Sequence, residues 1–373
     1  MSTPKGREAG HRVTRRHLTV LAVAIAFVGA LALPSRACQL CTPYPRASAA
    51  DYLLSAEAVV FAREDPDRPF HYAIVEVLKG DPGDESIDLF LDSRTRRVLA
   101  VHPERAAVLA LMRLECGALA WRRVGMADED FGPTVRHILA SHGAWLTNAT
   151  SRHDYFAQWL GHPNSQLRDL AHIEVARAPY KSILRYRSVL SREEIDRFLG
   201  NVRKVDWHPL YILFLSATDH PDDHERIRRS FHSCARLGTT RTLQSWTAAY
   251  IEIAGVEAIE EIEALYFRRG DRGPDEVAAV LNALSVHGSG GHVHLRDRIV
   301  ESYAVMLERY PEHAVDLLRD LQAWNRTDLS PAISAIITER SDMVEVAALR
   351  QLQGHLLHQM RTSLRPARAP RLR

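Results

Sequence analysis

Leu167-Arg-Asp-Leu170-Ala171-His-Ile-Glu-Val175 spaces its apolar residues three and four apart, which sets them on one side of an α-helix. Downstream the pattern recurs. Val256, Ile259, Ile262 and Tyr266 share a face, with Glu257, Glu260, Glu261 and Glu263 largely opposite. Val277, Val280, Leu281 and Leu284 repeat it, as do Ile299, Tyr303, Met306 and Tyr310, and then Ala314, Leu317, Leu318 and Leu321. Gly200, His220-Pro221, Gly238, Gly255, Gly270 to Pro274, Gly288 to Gly291 and Pro311 separate these stretches. Helices with one apolar face and short connections bury those faces against each other. Residues 152–362 are therefore predicted to form an all-α domain of stacked antiparallel helix pairs.

Upstream the periodicity is different. Val59-Val60-Phe61-Ala62-Arg63 is a short apolar run closed by Asp65-Pro66. Phe70 to Leu78 is rich in β-branched and aromatic residues and ends at the turn Lys79-Gly80-Asp81-Pro82-Gly83. Ile87, Leu89 and Leu91 alternate with polar residues, the period of a half-buried strand. Ala106–Leu114 and Leu119–Val124 supply two more strands, and Phe131–Leu139 a helix. Five short strands suit a small closed barrel, which has no exposed edges. The expected fold class is thus α+β multidomain, an N-terminal OB-like β-barrel over 38–142 followed by the helical domain.

Two resemblances sharpen this. Cys38-Gln-Leu-Cys41, Ala58-Val59-Val60-Phe61-Ala62 and Val75-Glu76-Val77-Leu78-Lys79-Gly80 together resemble the opening of netrin-like barrels, which include the tissue inhibitors of metalloproteinases. The resemblance implies an OB-type fold over roughly residues 38–125. The inhibitors begin Cys-x-Cys where this chain has Cys-x-x-Cys, so protease inhibition stays an alternative carried by the barrel alone. Trp159-Leu-Gly-His-Pro-Asn-Ser-Gln-Leu-Arg-Asp-Leu-Ala171 is similar to a HEAT-type repeat, a family that usually binds proteins along a concave face.

The first 37 residues have the layout of an export signal. Lys5, Arg7, Arg12, Arg15 and Arg16 face one acid, Glu8, and Leu18–Leu33 carries no charge. Ser35-Arg36-Ala37 then offers small residues for cleavage after Ala37. Thr14-Arg15-Arg16-His17-Leu18 resembles a twin-arginine signal, and Ala37-Cys38 raises acylation at Cys38. A periplasmic or extracellular location follows, membrane-attached only if the leader is uncleaved or Cys38 is acylated. Residues 363–373, with Arg365, Arg368, Arg371 and Arg373 between prolines, are expected to be a disordered basic tail.

Cys38, Cys41, Cys116 and Cys234 all follow the cleavage point, and an even number in an oxidising compartment reads first as disulfides. A cross-link from Cys38 or Cys41 to Cys116 would hold down a proline-rich first segment. A redox role for the Cys38/Cys41 pair is the alternative, although Thr42-Pro43-Tyr44-Pro45 does not begin a regular helix. Cys234, between Phe231 and Leu237, suits a buried free thiol.

The 19 histidines give two clusters worth weighing. In His220-Pro-Asp-Asp-His224 the proline places His220 ahead of a helix, with N-terminal capping as its role. His287, His292, His294 and Asp297 flank Ser289-Gly290-Gly291 and form a candidate metal site. No Gly-x-Ser-x-Gly elbow, phosphate loop or dinucleotide fingerprint occurs. A net charge of +2 leaves no electrostatic footprint for nucleic acid. The sequence therefore reads first as an exported binding or scaffold protein that presents a helical-repeat surface to a protein partner, without a cofactor or catalytic residue. A thiol-disulfide or metal-dependent envelope enzyme is the alternative.

Overall fold

Two strands of the computed structural model are apolar along most of their length, and this decides where they lie. The sheet has four antiparallel strands, β1 (Ala58–Glu64), β2 (Tyr72–Lys79), β3 (Ala106–Arg113) and β4 (Leu119–Ala127), in the order β2-β1-β3-β4. Ala58–Ala62 and Ala106–Leu111 are buried on both faces, so β1 and β3 take the centre. The structure describes residues 47–83 and 87–363.

The closed OB-like barrel expected over 38–142 does not form: among the described residues the sheet is open, with β2 and β4 at its edges. The fifth strand is also a correction. Residues 87–90 have no regular secondary structure and join no ladder, and among the described residues Leu91 is tied to the sheet region by its N–H, which donates to Phe70 O at 2.9 Å. Ile87 and Leu91 are buried because the segment lies across the sheet rather than beside it. Period-2 burial arises either way. Asp92 then caps a helix, α2 below, by accepting the N–H groups of Arg94 and Thr95. Val60, Ala62, Ala107 and Leu109 pack on that side with Leu99, while Val59, Phe61, Val108 and Ala110 join the main core.

Seventeen α-helices accompany the sheet among the described residues, making a mixed α+β fold. α1 (Ala49–Ser55) precedes it, α2 (Ser93–Val101) lies between β2 and β3, and α3 (Phe131–Ala140) follows β4 as expected. Then come α4 (His142–Thr147), α5 (Ala149–Ala157), α6 (Ser165–Val175), α7 (Tyr180–Tyr186), α8 (Arg192–Leu199) and α9 (His208–Ser216). α10 (Pro221–Leu237), α11 (Leu243–Ala254), α12 (Val256–Ile262), α13 (Pro274–Ser289) and α14 (Arg296–Arg309) continue the array. α15 (Ala314–Ala323), α16 (Ser330–Glu339) and α17 (Val346–Ser363) complete it. Alternate helices α9, α11, α13 and α15 pack in succession as an inner row, with α10, α12 and α14 outside. Pro209–Ser216 of α9 is buried all round, which explains its unbroken apolar run.

Residues 143–151, between the two expected domains, are mostly helical, and Asn148 caps α5 by accepting the Ser151 N–H. One hydrophobic cluster runs from Ala50 through the sheet to Leu352, and the described residues belong to one compact unit. The residues read as an export leader, with Ala37, Cys38 and Cys41, and those read as a tail from 364 on lie outside the described residues. Among the described residues no helix is long and apolar enough to cross a membrane.

Candidate metal centre

Three helices and one loop meet at a carboxylate. In α11, Leu243, Thr247, Ala248 and Ile251 are buried, and Glu252 on their flank is the helix's one charged residue. Pro274 stands in the first turn of α13, whose Glu276 accepts the Gly273 N–H at 3.0 Å. The apolar face Val277, Val280 and Leu284 of α13 then continues at the same spacing to His287. An imidazole thus occupies a core position, with no exposed surface. α7 begins with Tyr180, which donates its hydroxyl to Glu252 Oε2 at 2.8 Å.

His287 Nε2 lies 2.9 Å from Ala248 O, one turn before Glu252 in α11. A carbonyl only accepts, so Nε2 carries the hydrogen and Nδ1 keeps a free lone pair. Nδ1 has no hydrogen-bond partner and sits 3.9 Å from Glu252 Oε2. His292 Nε2 stands 3.2 Å from Glu252 Oε1 without hydrogen-bond geometry. Its ring stacks on that of His287 at 5.5 Å and 6°. One donor atom from each of Glu252, His287 and His292 lies within 4.8 Å of the others. An ion roughly 2.0–2.2 Å from each nitrogen and oxygen would separate its donors by about 3–4 Å. Small side-chain movements suffice. Burial pushes His287 down to about 3, against the hydrogen bond to Ala248, so its ring is neutral.

The loop that brings His292 back is tightly held. Arg296 donates to Gly288 O from both Nε (3.0 Å) and Nη2 (2.8 Å), and its guanidinium lies over the Trp324 ring. Trp324 Nε1 donates to Ser289 Oγ at 3.2 Å. At Gly291 a Cβ would stand 2.7 Å from His287 Nδ1, so only glycine lets the chain pass this close to the donor.

The structure thus unites two of the four residues read as a metal set. His294 is exposed, with its ring edge-on to His292 at 5.3 Å, and Asp297 faces away to pair with Arg326. Glu252 was missed because it lies 35 residues before His287 and belongs to no local motif. A lone acid in the otherwise uncharged Leu243–Ala254 was the available signal. His220 caps α10 as expected, and His224 Nε2 bonds Thr218 O at 2.8 Å, so that pair forms no site. Cys116 is an exposed free thiol between β3 and β4, and Cys234 a buried one, whereas Cys38 and Cys41 lie outside the described residues.

Glu252 and His292 open onto a cleft of about 420 Å³, with Tyr180, Lys181, Leu184 and His294 around it. A larger recess of about 640 Å³ runs along α10, lined by Arg226, Arg228, Arg229 and Arg236. Three of those arginines already pair with Asp196, Glu257 and Glu225, so the smaller cleft has the freer chemistry. No family model, curated protein or solved structure matches the chain.

Proposed function

We propose that this protein binds a divalent transition-metal ion, zinc first, through Glu252, His287 and His292. The observation that carries the reading is the fully buried, unpartnered Nδ1 of His287 facing a carboxylate and a second histidine. A core nitrogen left without a partner is costly, and a metal ion repays it. Two imidazoles and one carboxylate suit zinc, a borderline-soft ion. Ala248 O and Tyr180 Oη supply the outer hydrogen bonds that ligands in metal sites usually carry. Of the readings open from the sequence, this favours the metal-dependent one. The packed helices α7, α11 and α13 are the frame that holds the donors.

The test is titration of chelator-treated protein with zinc, and with cobalt(II) as a spectroscopic substitute. One equivalent should bind, with visible cobalt absorption and a raised Tm. Affinity should fall at least a hundredfold in Glu252→Gln and in His292→Ala, whose ring is on the surface loop. Equal binding by the wild type and both variants, or none by any, overturns the proposal.

A further inference from the structure

We infer that the site is hydrolytic rather than structural, and that it acts on small esters carrying a negative charge. The inference rests on the metal reading above and adds substrate class and chemistry. Closed structural zinc sites use four protein ligands, whereas hydrolytic ones use three and leave a position for water. Here three donors converge, and two of them, Glu252 and His292, line a cleft large enough for a small molecule. An ion held by them faces that cleft.

The charge around the cleft selects the substrate. Glu252 is the one carboxylate in its lining, and its charge goes to the metal. Lys181, one residue beyond Tyr180 at the start of α7, is exposed at the rim and has no ion-pair partner among the described residues. Leu184 and Val293 give the walls an apolar part. An ion and an ammonium at one cleft favour a substrate with an anionic group for Lys181 and a carbonyl oxygen for the metal.

The step balances without a redox partner. Metal-bound water gives up a proton and becomes hydroxide. The hydroxide oxygen bonds to the ester carbonyl carbon, and the resulting oxyanion rests on the metal. The bond from carbon to the alcohol oxygen then breaks, and the departing alkoxide takes up the second proton of the water, carried in on the hydroxide oxygen. The products are a carboxylate, an alcohol and one proton released to solvent.

The experiment compares 4-nitrophenyl succinate, which is anionic, with neutral 4-nitrophenyl acetate, using full-length zinc-loaded protein of measured metal content. The expected result is release of nitrophenol at least tenfold above the metal-free protein, with a preference for the succinate. Lys181→Met should raise KM for the succinate about tenfold and abolish the preference. Metal bound without hydrolysis of either ester overturns this inference and leaves the metal reading standing; absence of bound metal sinks both. His294→Ala supplies a separate check. If it weakens zinc as much as His292→Ala does, the site closes with four ligands and the hydrolytic inference fails.

Discussion

Arg152 holds the buried carboxylate of Glu174 with two hydrogen bonds, Nε to Oε2 at 2.8 Å and Nη2 to Oε1 at 2.7 Å. The same guanidinium reaches Asp51 Oδ1 at 2.6 Å, and Ser48 Oγ also donates to Glu174, so α1 is tied to α5 and α6. Glu174 is 1% exposed, and removing its main cation leaves a charge in the core. Arg152→Met should cost about 3–5 kcal/mol of stability, read from urea denaturation. Adding Glu174→Gln should recover part of the loss, because the orphaned charge is then gone. A single variant within about 0.5 kcal/mol of wild type would mean that water or Arg177 replaces Arg152.

At the metal centre, Tyr180 orients Glu252 without itself being a ligand. Tyr180→Phe keeps the ring that packs edge-on to His287 at 5.0 Å and removes only the hydroxyl. Outer partners of this kind are worth roughly 10–100-fold in metal affinity. Zinc affinity, measured by competition with a chromophoric chelator, should fall by that factor while Tm of the metal-free protein stays within a few degrees.

Gly288, in the last turn of α13, and Gly291, in the loop after it, should separate stability from binding. In Gly291→Ala the new methyl meets His287 Nδ1 at 2.7 Å, so metal affinity should drop at least tenfold. In Gly288→Ala it meets two Trp324 ring atoms at 2.4 Å, an overpacked contact expected to cost about 1–3 kcal/mol. The readouts are zinc titration for the first and thermal unfolding for the second. The opposite assignment of effects would show that the loop does not lie against His287 as described.

What the sequence allowed followed the range of each signal. Helical stripes such as Val277, Val280 and Leu284 are local, and the helices they announce are present. The helix 93–101 escaped because Ser93-Arg-Thr-Arg-Arg-Val-Leu-Ala-Val101 carries three arginines and little apolar face. Alternation at Ile87, Leu89 and Leu91 told of burial but not of pairing, since a segment crossing a sheet and one joining it bury alternate residues alike. The candidate site was half legible for a related reason. His287 and His292 stand five apart around a glycine loop, whereas Glu252 reaches them only because α11 packs on α13. No spacing along the chain encodes that contact.

The two free thiols should react differently in reduced, folded protein. Cys116 is exposed beside Gly117, in the turn where Leu114 N–H donates to Ala118 O at 2.8 Å. Cys234 is 6% exposed, and burial raises its pKa, despite contacts with Thr239 and Thr242 that act the other way. Alkylation needs an accessible thiolate. Iodoacetamide at pH 8 should label Cys116 within minutes and Cys234 only after denaturation, as read by peptide mass mapping. Early labelling of Cys234 would mean that α10 opens locally from the body of the protein.

Stability should also depend on the protonation of His172, a core residue on α6. Its Nε2 is 2.8 Å from Tyr211 Oη, and its ring packs on Trp207 and Phe198. Burial pushes its pKa from 6.5 down to about 3, with Lys204 and Arg168 adding smaller effects of the same sign. The folded state therefore keeps the ring neutral while the unfolded chain takes up a proton below about pH 6.5. The contribution is complete above 6.5 and is lost as pH falls towards 3. Between pH 6 and 4 this one group should add a slope of about 1.4 kcal/mol per pH unit to the unfolding free energy. His172→Phe removes the titrating group, so its stability curve, though lower at pH 7, should be flatter over that range by one proton. Urea denaturation of both proteins at pH 6, 5 and 4 measures the difference. Parallel curves would show that His172 is reached by solvent and protonates in the folded protein.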